Sequence, residues 1–306
     1  IFVTKNHGKN ITRINVNFTP NEVSFHELRP DTFLILQKSN PKPQLWITED
    51  FGNSWRLIEE YVDSYFWVQD DKTGEQILII QRRSVNGLSE IIYSRNLFNS
   101  ERLHILASDV KDIYMKGDYI FFTKKSSKDN YDLFVSYKLG EQLKCIFDSE
   151  LDRRAYHIVD VTGNRALVAV SHTDTLSHLY VSENLGGNNK KVHFTLSLEA
   201  VLCFFPNSTW QDSWLHHVSE DAFADVYRVE GITGIYIASQ VTVKLVDHNL
   251  GPQHLISLIT FDHGGSWRPL NPPVYDNERQ LISCSLSINC SLHLSQRFSQ
   301  LYPETR

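Results

Sequence analysis

Short apolar runs, each closed by a hydroxyl residue and followed by a polar turn, recur along the 306-residue chain. IFVT ends at Thr4, LWIT at Thr48, IIYS at Ser94, LFVS at Ser136, LYVS at Ser182 and SLIT at Thr260. The hydroxyl positions lie 44, 46, 42, 46 and 78 residues apart. The first four separations match the length of a four-stranded propeller blade, and the last carries an insertion. Between copies the chain reads as β runs with turn residues at intervals, such as YFWVQ, QILIIQ and EIIYS, then DIYM, YIFFT, DLFVS and LKCIF. Helical periodicity is weak throughout. The pattern predicts an all-β chain, a β-propeller with a half blade over 1–18, blades over 23–61, 64–106, 110–149, 155–200 and 222–270, and a tail over 271–306.

Two copies of the turn are nearly complete: TEDFGNSW, with Thr48, Asp50, Gly52 and Trp55, and TFDHGGSW, with Thr260, Asp262, Gly264 and Trp267. In such a turn the aspartate accepts backbone N–H bonds, the glycine takes a positive φ, and the tryptophan covers the apolar side of the blade. The turn thereby staples the third strand to the fourth. A catalytic aspartate is the competing reading. A residue that recurs at the same turn of successive blades is better explained by structure than by chemistry.

Charge and composition narrow the function. Lys plus Arg number 30 against 36 Asp plus Glu, a net charge of −6, so the chain lacks the basic excess that neutralises a phosphate backbone and nucleic acid is excluded as an expected partner. No apolar run approaches the roughly 18 residues that cross a bilayer. The chain opens IFVTKN, without Met or a leader pattern, and reads as the middle of a strand. A fragment of a longer protein is expected.

The four cysteines are Cys145, Cys203, Cys284 and Cys290. Only the last two are close, and their five-residue gap suits a local disulfide better than a zinc knuckle. Asn10, Asn17, Asn207 and Asn289 each open a glycosylation sequon. Together these features favour a lumenal or secreted chain. Cys145 and Cys203 are expected to be buried and reduced.

The paired turns are Asp boxes, which occur in sialidases, other glycosidases and the sortilin family of sorting receptors. The run Phe223-Ala-Asp-Val-Tyr-Arg-Val-Glu-Gly-Ile-Thr-Gly-Ile-Tyr-Ile-Ala238, the box at Thr260, and the closing Cys284…Cys290-Ser-Leu-His-Leu-Ser-Gln-Arg-Phe-Ser-Gln-Leu301 follow in order. With Gln44-Leu-Trp46 and Phe194-Thr-Leu-Ser-Leu-Glu199 upstream, they resemble the vacuolar-protein-sorting receptor domain of the sortilin family over essentially the whole chain. The resemblance implies a ten-bladed propeller with a wide tunnel, of which this chain is about half. It further implies peptide, propeptide or protein cargo bound in that tunnel, and a type I membrane protein anchored by a segment outside this chain. Traffic would run between Golgi, endosomes and cell surface, and the resemblance implies no cofactor.

The first strand of each blade lines a propeller's channel, which points to Tyr65–Gln69, Asp112–Lys116, His157–Val161 and Asp225–Glu230. Arg228 is the preferred contact for an anionic ligand, with Tyr227 or Tyr236 supplying aromatic area beside it. Against this, Arg228 can pair within its blade with Glu230 or Asp225. Sortilin receives a peptide's terminal carboxylate on an arginine whose counterpart falls near Ala200, a departure that favours strand pairing with an extended peptide instead. The insertion offers Trp210 and Trp214 as rim anchors, or as side chains packed on the blade beneath. The adjacent His216 and His217 face opposite ways on a strand and do not suggest a shared metal. A sialidase-like enzyme is the alternative class, with Arg153, Arg154 and Arg228 as carboxylate ligands and Tyr236 as nucleophile. Their spacing carries no such pattern, and no HExxH, P-loop or GxSxG run is present.

Overall fold

The computed structural model describes residues 1–294 apart from 40, 71–72, 75, 85–86, 100–102, 129, 187–189, 207–209, 211–214, 216–218, 243–249, 252–253 and 289. The chain is all-β, of propeller type, with no α-helix among the described residues and none long and apolar enough to cross a membrane. It divides into two compact units, Ile1–Asp118 and Tyr119–Arg306.

In the first unit, β1 (Phe2–Val3) pairs with β2 (Thr12–Arg13). A four-stranded antiparallel blade follows, formed by β3 (Glu22–Phe25), β4 (Phe33–Gln37), β5 (Gln44–Thr48) and β6 (Arg56–Glu60). The next four strands, β7 (Val62–Gln69), β8 (Gln76–Arg83), β9 (Ser89–Ser94) and β10 (His104–Lys116), pair in the same sequential way.

Position in the blade explains composition. Second strands are covered on both faces, so β4 and β8 run as unbroken apolar stretches, with Leu34, Ile35, Leu78, Ile79 and Ile80 fully buried. The outer strand β6 is only half-buried along its length and carries Arg, Glu and Glu among its five residues. The two blades meet through one apolar cluster that includes Leu36, Leu45, Ile47, Leu78, Ile80 and Ile92.

In the second unit, β11 (Tyr119–Lys125), β12 (Tyr131–Tyr137) and β13 (Gln142–Phe147) form an antiparallel run. A blade of β14 (Ala155–Thr162), β15 (Arg165–Ser171), β16 (Ser177–Ser182) and β17 (Lys191–Leu198) follows. The outer strands β13 and β17 hydrogen-bond in parallel, from Lys144↔Lys191 to Phe147↔Phe194, which joins the two groups edge to edge. After a short bridge of β18 (Cys203–Phe204) and β19 (Phe223–Ala224), a last blade comprises β20 (Val226–Arg228), β21 (Tyr236–Val241), β22 (Leu255–Thr260) and β23 (Arg268–Pro269). Leu167, Leu179, Leu198, Val201, Cys203, Phe205, Tyr236 and Leu258 form the core between these two blades.

In the tail, Cys284 and Cys290 form a disulfide with Cα atoms 5.2 Å apart. Cys145 and Cys203 are buried thiols outside the disulfide, and burial pushes both up.

Candidate functional site

The Asp boxes are closed by short local bonds. Thr48 donates its hydroxyl to Asp50 (2.8 Å) while accepting the Gly52 N–H (2.7 Å), and Asp50 accepts both the N–H (2.9 Å) and the hydroxyl (2.6 Å) of Ser54. The second box repeats the set, with Thr260 to Asp262 at 2.7 Å, Gly264 N–H to Thr260 at 3.0 Å, and Ser266 to Asp262 at 2.9 and 2.7 Å. The Ser54 hydroxyl and N–H hold Asp50 at about 2, and Thr260 followed by Ser266 does the same for Asp262. With every oxygen so engaged, the boxes are built as staples.

The glycines serve the neighbouring blade as well as the turn. Gly52 has φ +86°, and a Cβ there would lie 2.6 Å from Ile14 Cδ1; Gly264 has φ +90°, and a Cβ would lie 2.7 Å from Ser197 Oγ. The residue before each is also left-handed, Phe51 at +59° and His263 at +61°, although neither is glycine.

The side chains around Arg228 come from two blades. Asp160 on β14 accepts the Tyr236 hydroxyl at 2.7 Å and the Thr162 hydroxyl at 2.6 Å, both on Oδ2. Its Oδ1 lies 3.5 Å from the Arg228 guanidinium on β20. A register shift between Ile158 and Asp160 inserts Val159 as an extra residue, a β-bulge that re-aims Asp160 toward the next blade. Burial works to raise the Asp160 carboxyl, but the bonds from Thr162 and Tyr236 and the charge of Arg228 outweigh it and hold the group below its usual range. Burial and the Asp160 carboxylate raise the Tyr236 phenol.

Each residue singled out in the sequence has a definite environment. Arg228 is 46% exposed in its side chain and pairs with Asp160 of the preceding blade rather than with Asp225 or Glu230. Tyr227 is 43% exposed. Tyr236 is 3% exposed, its ring in the inter-blade core and only its hydroxyl turned toward Asp160 and Thr162. Ala200, at φ +50°, follows β17, and its N–H donates to His178 Nδ1 at 3.0 Å. Trp210 is 2% exposed and packs with Leu202, Phe204, Leu215 and Phe223, so it is a core side chain and offers no rim contact. Trp214, His216, His217, Asn207 and Asn289 lie outside the described residues, whereas Asn10 and Asn17 are exposed.

Sequence reasoning missed Asp160 and Thr162. A sequence-level signal existed, since Asp160 interrupts an apolar first strand in the segment already marked as channel-facing.

Similarity to known proteins settles the family. The Sortilin-Vps10 family model, described as sortilin, neurotensin receptor 3, matches residues 1–306. The human Sortilin-related receptor is 30% identical over 98% of this chain, which spans 14% of that protein's length. Vacuolar protein sorting/targeting protein 10 of Schizosaccharomyces pombe is 26% identical over 96% of the chain, which spans 20% of it. Among solved structures, the β-propeller domain of the Trilobed protease from Pyrococcus furiosus aligns with a TM-score of 0.37 at 11% identity, over 84% of this chain and 72% of that one. A family match that runs from the first residue to the last, over blades stapled by Asp boxes, shows that the chain belongs to the Sortilin-Vps10 family.

Proposed function

We propose that this chain is a ligand-binding part of the lumenal or extracellular portion of a sorting receptor. It takes peptide, propeptide or protein cargo, and the receptor, anchored by a membrane segment elsewhere, carries that cargo between Golgi, endosomes and cell surface. The observation that carries the site is Arg228. Its guanidinium is half-exposed on a first strand and tethered at one corner to Asp160, which leaves N–H groups for a ligand carboxylate. Tyr227 lies beside it as the exposed ring, and Tyr236 acts through Asp160, as a positioning residue.

The chemistry of Tyr236 disfavours the glycosidase alternative. A phenol nucleophile needs access and a lowered pKa, and this one is buried with its pKa raised. Arg153 is paired with Asp132 and Arg154 with Asp174, so each guanidinium already has a carboxylate of its own.

Cargo binds at neutral pH and leaves in acid in this reading. The test is propeptide binding to the full receptor ectodomain at pH about 7.4 and about 5.5, in wild type and Arg228→Ala. Weaker binding in acid and in the folded variant is expected. Equal affinity at the two pH values removes the release mechanism, and undiminished affinity in Arg228→Ala removes this site.

A further inference from the structure

A second cleft, in the first unit and independent of Arg228, has the chemistry of an anion site. It encloses about 600 Å³ where the turn after β3, Thr73 and Gly74 ahead of β8, and the turn after β9, which carries Asn96 where the complete boxes have aspartate, come together. Arg29 and Arg95 line it with Gln76, Asn96, Asn99 and Thr73, and no carboxylate side chain stands among the described lining residues. Arg95 is held at Nε by Asp70 (3.2 Å) and is half-exposed. Arg29 is exposed and has no carboxylate partner among the described residues.

What Arg29 does have is His26, a buried imidazole that is short of acceptors. The backbone N–H groups of Leu28 and Arg29 both point at His26 Nδ1 from 3.2 Å, and the Arg29 guanidinium reaches Nε2 at 3.2 to 3.4 Å. A neutral imidazole has one bare nitrogen, so these donors exceed what His26 can accept. Successive backbone N–H groups beside a guanidinium are the usual makings of an anion concavity.

We infer that this cleft binds an acidic peptide segment, with Arg29 and Arg95 taking its side-chain carboxylates. A cleft of this volume accommodates a few residues, and the surrounding Asn and Gln amides can both donate to and accept from a peptide backbone. Peptide is favoured over an acidic sugar because the described lining has amides, guanidiniums and two leucines but no aromatic ring other than His26. The groups facing His26 are Arg29, Glu27 and Asp31 on its own turn, with the uncharged Trp67 from β7, while Gln76 of β8 accepts the Glu27 N–H and lines the same cleft. A carboxylate placed on Arg29 offsets the cation nearest the imidazole. Peptide binding therefore raises the titration midpoint of His26, and by reciprocity mild acid tightens peptide binding.

The test uses the full chain at low ionic strength with fluorescent hexaglutamate, hexaglutamine as the uncharged control, and a sulfated disaccharide. Hexaglutamate should bind and hexaglutamine should not. Arg29→Gln, alone and with Arg95→Gln, should weaken hexaglutamate at least tenfold, whereas Lys9→Gln, an exposed cation outside the cleft lining, should leave it unchanged. The His26 ring signals in NMR should titrate at higher pH with peptide bound. Arg29 is exposed, so the single variant retains the fold if the double does not. Undiminished binding in Arg29→Gln, equal binding of hexaglutamine, an equal loss in Lys9→Gln, or an unmoved His26 titration overturns the assignment. Arg29-dependent binding of the disaccharide without the peptide overturns the peptide and leaves a saccharide site.

Discussion

Trp267 donates its indole N–H to the Ser197 hydroxyl at 3.0 Å, and that hydroxyl donates in turn to the Gly264 carbonyl at 2.5 Å. One serine on the outer strand of a blade thus holds both the tryptophan and the turn of the next blade's Asp box. Trp55, the equivalent ring, instead closes on its own turn at the Gly52 carbonyl, 3.1 Å away. Ser197→Ala strands a donor and an acceptor together and should cost about 1–3 kcal/mol. Asp262→Ala leaves groups that water can reach, and should cost about 1 kcal/mol. Chemical denaturation of both variants checks the order, and an Asp262→Ala loss larger than that of Ser197→Ala would place the main staple inside the turn.

Arg56 plays the corresponding part in the first unit. From β6 it donates to the carbonyls of Leu97 (2.7 Å) and Phe98 (3.5 Å) in the next blade's turn. Those two residues sit at φ +57° and +58° without a glycine between them, a conformation that is strained for both. The guanidinium satisfies the carbonyls that this strained turn presents. Arg56→Ala should therefore lower stability by about 1–2 kcal/mol, more than an ordinary surface arginine. Arg56→Lys should recover only part of it, because an ammonium cannot reach both carbonyls in one plane. A thermal midpoint unchanged in both variants would refute the account.

The repeat was legible because its period is carried by residues with no substitute at their positions. Gly52 and Gly264 combine a positive φ with a neighbour that a Cβ would strike, and second strands such as QILII are apolar on both faces for want of water on either. The propeller type follows from these two signals alone. The candidate site was less legible. Arg228 and Tyr236 were visible as residue types, and Asp160 stood out as a break in an apolar strand, but which blade its carboxylate faces is set by the bulge at Val159, and the sequence does not say which strand the extra residue opposes. The burial of Trp210 was equally hidden, since an aromatic ring in an insertion reads the same whether it anchors a ligand or fills a core.

His172 and His178 set an acid limit on the second unit. The His172 Nδ1–H donates to the Asp152 carbonyl at 2.6 Å, and its Nε2 accepts the Tyr180 hydroxyl at 3.1 Å, which fixes a neutral ring. Burial is the main cause that lowers its pKa to about 4, with the charges of His178 and Arg153 acting in the same direction and the Asp152 charge against them. His178 is also lowered, chiefly by burial and against the charge of Glu199, and its Nδ1 accepts the Ala200 N–H that a second ring proton would oppose. A base whose folded pKa is depressed contributes stability that is complete above about pH 6.5 and declines as the pH falls toward the folded value. For His172 the loss by pH 5.5 is about 1 kcal/mol. Stability measured against pH should fall across this window in wild type. His172→Gln should flatten the fall, and a profile of the same slope in His172→Gln and His178→Gln would show that the acid sensitivity lies elsewhere.

Tyr236 and Arg228 separate positioning from contact. Removing the Tyr236 hydroxyl as Tyr236→Phe keeps the ring in the core and takes one of two hydrogen bonds from Asp160 Oδ2, leaving that of Thr162. Asp160 stays charged and paired, so Arg228 shifts rather than detaches, and propeptide affinity should fall only about threefold for a loss of about 0.5–1.5 kcal/mol of stability. Arg228→Ala removes a charge-assisted contact and should weaken binding ten- to a hundredfold, which corresponds to about 1.5–3 kcal/mol, with little change in stability because the side chain is half-exposed and its ion pair is long. Arg228→Lys keeps the charge but not the fork, and should fall between the two. Calorimetric titration of the full receptor ectodomain with a propeptide, beside a thermal melt of each variant, reads both quantities. Affinity lost in Tyr236→Phe as fully as in Arg228→Ala, at unchanged stability, would make the phenol itself a ligand contact and would require the ring to leave the core on binding. Affinity retained in Arg228→Ala would remove the guanidinium from the site and leave the exposed ring of Tyr227 on the same strand as the next residue to test.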